Sequence, residues 1–141
     1  MNLSPHFTLE ELTTTQQRMD NTPDKEALDN MTESLAPLLE RVRTLLGYPL
    51  HINSGYRSPA VNKAVGGSAK SAHMSGFAAD FICPGFGTPL QIVRKIDASG
   101  LYFDQLIQEG NWVHISADPM LRREVLTAHF GPNGTTYTAG A

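Results

Sequence analysis

The chain has 141 residues, of which 40% are hydrophobic and 18% charged, and it carries a net charge of −3. That length is one domain's worth and supports a single core without covalent staples, and the composition excludes a disordered or membrane-embedded chain. The negative balance argues against nucleic acid as the main partner, because phosphate binding needs a basic face.

In chain order, "FTLEEL" opens a first helix, with Thr8 and Glu11 at the spacing of a capping box. That helix is expected to end near "DNTP", after which Thr22 caps a second helix with Pro23 at its first position. Leu28, Met31, Leu35, Leu38, Val42 and Leu45 then step by three and four, an amphipathic stripe that Pro37 should kink or interrupt and Gly47 should end. "PLHIN" reads as a short strand with Leu50 and Ile52 on one face. A turn follows, then a short helix begun by Ser58 and Pro59 and closed by Gly66 and Gly67. "FAADFIC", residues 77–83, reads as a strand with Phe77, Ala79, Phe81 and Cys83 to one side and Ala78, Asp80 and Ile82 to the other. "TPLQIVRKIDASG" is a helix capped by Thr88, begun by Pro89 and stopped by Gly100. "FDQLIQ" and "WVHIS", joined through Glu109, Gly110 and Asn111, read as a β-hairpin. "EVLTAHF" is a further strand, and the Gly-rich tail is read as a last turn. Helices first and paired strands last predict one α+β domain over 1–141, with helices in 8–46 and a small, largely antiparallel sheet carrying the site in 50–130.

Asp80 is the residue that this frame leaves unexplained. A carboxylate in the middle of an apolar strand costs several kcal/mol or more unless it is paired or metal-bound. Ala78 leaves room beside it, and Gly76 lets the chain turn so that His73 can fold back over the strand end. His114 lies in the middle of "WVHIS", with Trp112 and Ser116 on its face. Two histidines and one carboxylate suffice to hold zinc with a fourth position open, as catalytic zinc requires. The single cysteine, Cys83, excludes a disulfide and a multi-cysteine zinc site. Taken singly, a strand histidine is more often a hydrogen-bonded core or edge residue, and a strand aspartate more often ion-paired; His-x6-Asp is not specific by itself.

"SGYRSPAVNKAVGGSAKSAHMSGFAADF" taken with "FDQLIQEGNWVHIS" resembles the M15 family of zinc peptidases, the D-alanyl-D-alanine carboxypeptidase group, and most nearly its short phage and prophage branch. The family pattern Ser-x-His-x-x-Gly-x-Ala-x-Asp is matched by Ser71, His73, Gly76, Ala78 and Asp80, and the later Trp-x-His element by Trp112 and His114. The resemblance runs from about Phe7 to the C-terminus. It implies one zinc ion held by His73, Asp80 and His114, on the small α+β fold shared with hedgehog signalling domains. Many members carry an acidic residue three positions before the last histidine ligand, where this chain has Asn111, and an amide cannot take a proton from water. Glu109 is the nearest carboxylate and the expected general base, with Asp104 a weaker alternative. Arg57 corresponds to a cleft arginine that can grip a substrate carboxylate through two parallel hydrogen bonds. Ser71, Tyr56 and Gln105 are the further substrate-binding candidates, whereas His6, His51 and His129 are read as structural or exposed.

The resemblance implies hydrolysis of a peptide bond in the peptidoglycan stem peptide or cross-bridge; a monomer is expected, and charge and the lack of a long apolar run predict no nucleic acid or membrane partner. The rival expectation is a catalytically idle, zinc-stabilised module that binds the wall or serves in a virion. "MNLSPHFTLEEL" lacks a basic n-region and apolar h-region, so the expectation is cytoplasmic synthesis followed by holin-mediated release, or incorporation into a virion.

Overall fold

Thr8 starts the first helix as its spacing dictates: its hydroxyl accepts from the Glu11 amide at 3.1 Å while the Glu11 carboxylate accepts from the Thr8 amide at 3.3 Å. In this computed structural model, which describes residues 1–141, helix α1 spans only Leu9–Leu12. It stops early because Thr13 and Thr14 turn their hydroxyls back onto the Leu9 and Glu10 carbonyls, both at 2.8 Å. Ahead of it, strands β1 (Asn2–Ser4) and β2 (Phe7–Thr8) form a small antiparallel pair that the sequence reading did not anticipate.

Helix α2 (Lys25–Asn30) is capped by Asp24, whose carboxylate accepts from the Ala27 amide at 2.8 Å. The expected cap, Thr22, instead donates its hydroxyl to Asp20, which leaves Pro23 outside the helix. A π-helical turn, Met31–Leu35, joins α2 to α3 (Ala36–Leu46). Pro37 accounts for its position. Proline has no N–H to offer the carbonyl four residues back, and its ring crowds that carbonyl. The chain widens there, and the Ala36 amide bonds the Met31 carbonyl, five residues back. Gly47, at φ 78°, closes α3 in the left-handed conformation.

The larger sheet runs in the order β3 (His51–Ser54), β4 (Ala78–Ile82), β6 (Val113–Ser116), β5 (Gln105–Gln108), β7 (Glu124–Gly131), β8 (Gly134–Ala139). Every pairing is antiparallel except β5 with β7. The tail expected to be a turn is strand β8, which pairs with β7 from Leu126 opposite Ala139 to Gly131 opposite Gly134. One sheet face presents Ile52, Ala79, Phe81, Leu106, Val113 and Ile115 to a core completed by Leu35, Leu38, Leu39 and Val42 on the α3 side and by Ile92, Val93 and Ile96 of α5 (Pro89–Asp97). Fully burying each aliphatic side chain contributes about 1.5–3 kcal/mol. The short helix α4 (Pro59–Ala64) and a 3₁₀ turn, Ala72–Ser75, lie before β4. The opposite sheet face, where Asp80, His114 and Ile107 occupy consecutive cross-strand positions, is left for the site. No helix is long and apolar enough to cross a membrane.

Candidate metal centre and active-site cleft

The register builds the centre. Asp80 of β4 sits directly opposite His114 of β6, and paired residues of neighbouring strands share a face. The His114 Nδ1 lies 2.9 Å from Asp80 Oδ1. His73 arrives from the 3₁₀ turn, whose first turn is capped by the Ser71 hydroxyl accepting from the His73 amide at 3.2 Å. Gly76 ends that turn at φ 77°, and a Cβ there would collide with the Ala27 carbonyl of α2. Only glycine meets both demands, so the turn packs against α2 and His73 swings over the strand.

His73 Nδ1 lies 2.7 Å from the Gly55 carbonyl. A carbonyl only accepts, so Nδ1 carries a hydrogen and Nε2 faces inward, 3.2 Å from the same Asp80 Oδ1. One carboxylate oxygen thus meets two imidazole nitrogens, and the two rings stand edge to face with centroids 5.1 Å apart. Contacts of this kind need a shared proton or a cation between the heteroatoms. The three potential donor atoms lie within 4.8 Å of one another. Ligands about 2.0–2.1 Å from a tetrahedral zinc lie roughly 3.3 Å apart, so two nitrogens and one oxygen at this spacing fit that ion. The Gly55 bond to His73 is the outer contact that fixes the ring and its tautomer for ligation.

Arg57 completes the other side of Asp80. Its Nη2 donates to Asp80 Oδ2 at 3.2 Å and its Nε to the Ser54 hydroxyl at 3.2 Å. The guanidinium expected to hold a substrate carboxylate therefore first orients Asp80, turning Oδ1 toward the imidazoles. Burial opposes charge on Asp80, but the two imidazoles outweigh it and hold the carboxyl well below the usual carboxylate range.

These groups open into a cleft of about 610 Å³ lined also by Glu109, Gln105, Ser71 and Trp112. Glu109 sits at the hairpin loop, where its Oε2 accepts from the Trp112 indole at 2.8 Å. Burial raises its carboxyl above the usual range, and the charge of Asp80 raises it further, against smaller opposing effects from the histidines and the indole. Asp104, the alternative base, is held by the Arg122 guanidinium at 2.8 and 2.9 Å and titrates below its ordinary value. A carboxylate committed to a two-pronged ion pair is a weak proton acceptor. Tyr56 does not line the cleft; it is buried in the core, and its carbonyl accepts from Asn21 at 2.9 Å. Gln105 lines the cleft with its amide donating to Glu124 at 2.8 Å. His6 pairs with Glu40 at 2.7 Å, His129 faces the Thr138 hydroxyl at 2.8 Å, and His51 is exposed on β3.

A family model described as Peptidase M15 matches residues 5–116. The chain belongs to the M15 peptidase family. No curated protein sequence matches it. The family implies a peptide substrate, and the His–Asp–His cluster of this M15 peptidase suits the zinc on which the family depends. Among the cleft residues that no sequence pattern marks are Lys70 on one rim, and Arg122, Phe130 and Tyr137 on the other. The last three follow the family-matched segment. No local pattern marks them, because β7 reaches the cleft only through its parallel pairing with β5.

Proposed function

We propose that the protein is a zinc-dependent peptidase that hydrolyses a peptide bond of the peptidoglycan stem peptide or cross-bridge. The observation that carries this reading is the convergence of His73 Nε2 and His114 Nδ1 on Asp80 Oδ1, in a cleft that Glu109 also lines. His73, Asp80 and His114 would hold the ion. When bound, zinc supplies a Lewis acid for the scissile carbonyl and lowers the pKa of a water at its open position toward ~7. Glu109 takes the proton from the attacking water and delivers it to the leaving amine. Burial raises its carboxyl above the ordinary carboxylate range, which makes it a better proton acceptor than an exposed glutamate. Trp112 holds the Glu109 carboxylate in place through the indole bond. Arg57 orients Asp80 through its contact with Oδ2, while Ser71 and Gln105 offer polar contacts to the peptide. Access to the wall by holin-mediated release, or from a virion, belongs to the same proposal.

The test is incubation of the purified protein with peptidoglycan fragments, with and without a chelator, followed by mass spectrometry. New peptide products that vanish with the chelator and return with zinc are expected. Asn111, standing where many relatives carry an acid, favours a second reading: a zinc-stabilised module that binds the wall without cutting it. Retention on insoluble peptidoglycan with no product at any zinc concentration would establish that reading instead.

A further inference from the structure

The cleft has two walls of different chemistry. On one side, the segment after α4 contributes Gly66, Gly67, Ser68 and Lys70. On the other, four of the six apolar lining residues gather: Ile107, Trp112, Phe130 and Tyr137. Two of these four come from the β7–β8 hairpin, beyond the family-matched segment 5–116. The register explains why they face the centre. His114 pairs with Ile107, Ile107 with Leu126, and Leu126 with Ala139, so the site-bearing face of the sheet continues onto the hairpin. Alternation along β7 then puts Ala128 and Phe130 on that face, and Tyr137 lies opposite Ala128.

The hairpin also touches the loop that carries the expected base. A Cβ built on Gly110 would lie 3.8 Å from Phe130 Cε2, and the Phe130 and Trp112 rings are 6.2 Å apart. Trp112 in turn holds Glu109. Tyr137 lies near enough that burial, then the charges of Glu109 and Asp80, raise its phenol pKa. Yet Phe130 remains 59% exposed and Tyr137 51% exposed. Large aromatics held at the rim of a polar cleft, with half their surface still open, offer contact area that only a bound ligand can cover.

We propose that the β7–β8 hairpin is the specificity wall of the peptidase: Phe130 and Tyr137 receive an alanyl residue of the stem peptide, while Lys70 on the opposite rim faces one of its carboxylates. This assignment rests on the peptidoglycan reading above. It orients the peptide across the centre, because an alanyl residue meets the aromatic rings on one wall while a carboxylate meets Lys70 on the other.

The experiment uses the zinc-loaded full chain and purified disaccharide-tetrapeptide and disaccharide-pentapeptide as probes, with products followed by mass spectrometry. Tyr137→Ala is expected to raise KM roughly three- to tenfold with kcat within about twofold, the loss of one aromatic contact. Tyr137→Phe should restore most of the KM, since the ring rather than the hydroxyl forms the wall. Phe130→Ala should raise KM and also lower kcat, because it loosens Trp112 behind Glu109. Circular dichroism and zinc content of each variant report folding, and both residues are exposed enough for the chain to fold without them. If the wild type binds without cutting, the Kd of each probe is compared in place of KM. Unchanged KM or Kd in both alanine variants overturns the hairpin assignment while the peptidoglycan reading stands. Neither binding nor cleavage of these probes by the wild type overturns the hairpin assignment together with the stem-peptide form of that reading.

Discussion

At the scale of single residues, the proposed mechanism separates holding an ion from moving a proton. His73 and His114 present inward nitrogens, whereas Glu109 stands off at the loop, tied to Trp112. Replacing His73 with Ala should therefore abolish both zinc retention and cleavage, measured by elemental analysis and product mass spectrometry. Glu109→Gln should keep stoichiometric zinc while cleavage falls about 10²–10⁴-fold, the usual contribution of a positioned general base. Zinc loss in the glutamine variant would move Glu109 from proton transfer to ligation. Arg57 acts one contact further out. Its bond to Asp80 Oδ2 leaves Oδ1 for the imidazoles, and removing such an outer partner typically costs about 10–100-fold in metal affinity. Arg57→Ala, titrated against a zinc-chelating dye, should show that drop with the fold intact; unchanged affinity would restore the arginine to a purely substrate-facing role.

At the scale of elements, the joints between segments decide whether the side chains meet. Gly76 is such a joint: its φ of 77° and its approach to the Ala27 carbonyl leave no space for a side chain. Gly76→Ala should lower stability by about 1–3 kcal/mol, read in thermal unfolding, and weaken zinc binding because His73 rides on that turn. A second joint binds the start of β5 to the loop before β7. Asp104 accepts from the Arg122 guanidinium and, at 3.1 Å, from the Arg122 amide, between residues Leu121 and Arg123 whose φ values are 45° and 53°. The arginine bond holds the Asp104 carboxyl below its ordinary value although burial pushes the other way. A carboxyl depressed in the folded state contributes stability above its unfolded pKa of about 3.9, and that contribution is lost as pH falls through the lower folded value. Unfolding measured down the acid range should show this loss in the wild type and a flatter profile in Asp104→Asn. The same variant should be about 1–3 kcal/mol less stable at neutral pH; equal acid limbs would assign the acid sensitivity to other carboxylates.

At the scale of the whole molecule, one sheet face is packed into a helix-covered core and the other carries polar chemistry, so folding and site assembly are the same event. The unfolded chain cannot bring together residues 73, 80 and 114, so zinc held as proposed would bind the folded state selectively. A ligand at a hundred times its Kd stabilises the folded state by roughly 2.7 kcal/mol. Thermal unfolding should shift upward with zinc and downward with a chelator, and the His73→Ala variant should respond to neither.

Much of this was legible in the chain itself. The Thr8–Glu11 cap, the Thr88 cap of α5, the Pro37 interruption and the strand at Asp80 each follow from residues a few positions apart. The metal cluster was legible for another reason: an aspartate within an apolar strand demands a partner, and the histidines nearest in motif and pattern were His73 and His114. Local pattern misjudged the ends of elements, as with α1, because hydroxyls returning to helical carbonyls compete with helix propagation. It also assigned Tyr56 to the cleft and left the tail as a turn. Short-range chemistry in the sequence by itself determined most of the element types and the apolar stripes, and the family motif marked the His–Asp–His cluster. Only the tertiary structure decided that Arg57 turns to Asp80, that Arg122 binds Asp104, and that β7 adds in parallel beside β5 to wall the cleft. Those outcomes depend on which distant strands pair and in what register, and no stretch of chain a few residues long carries that information.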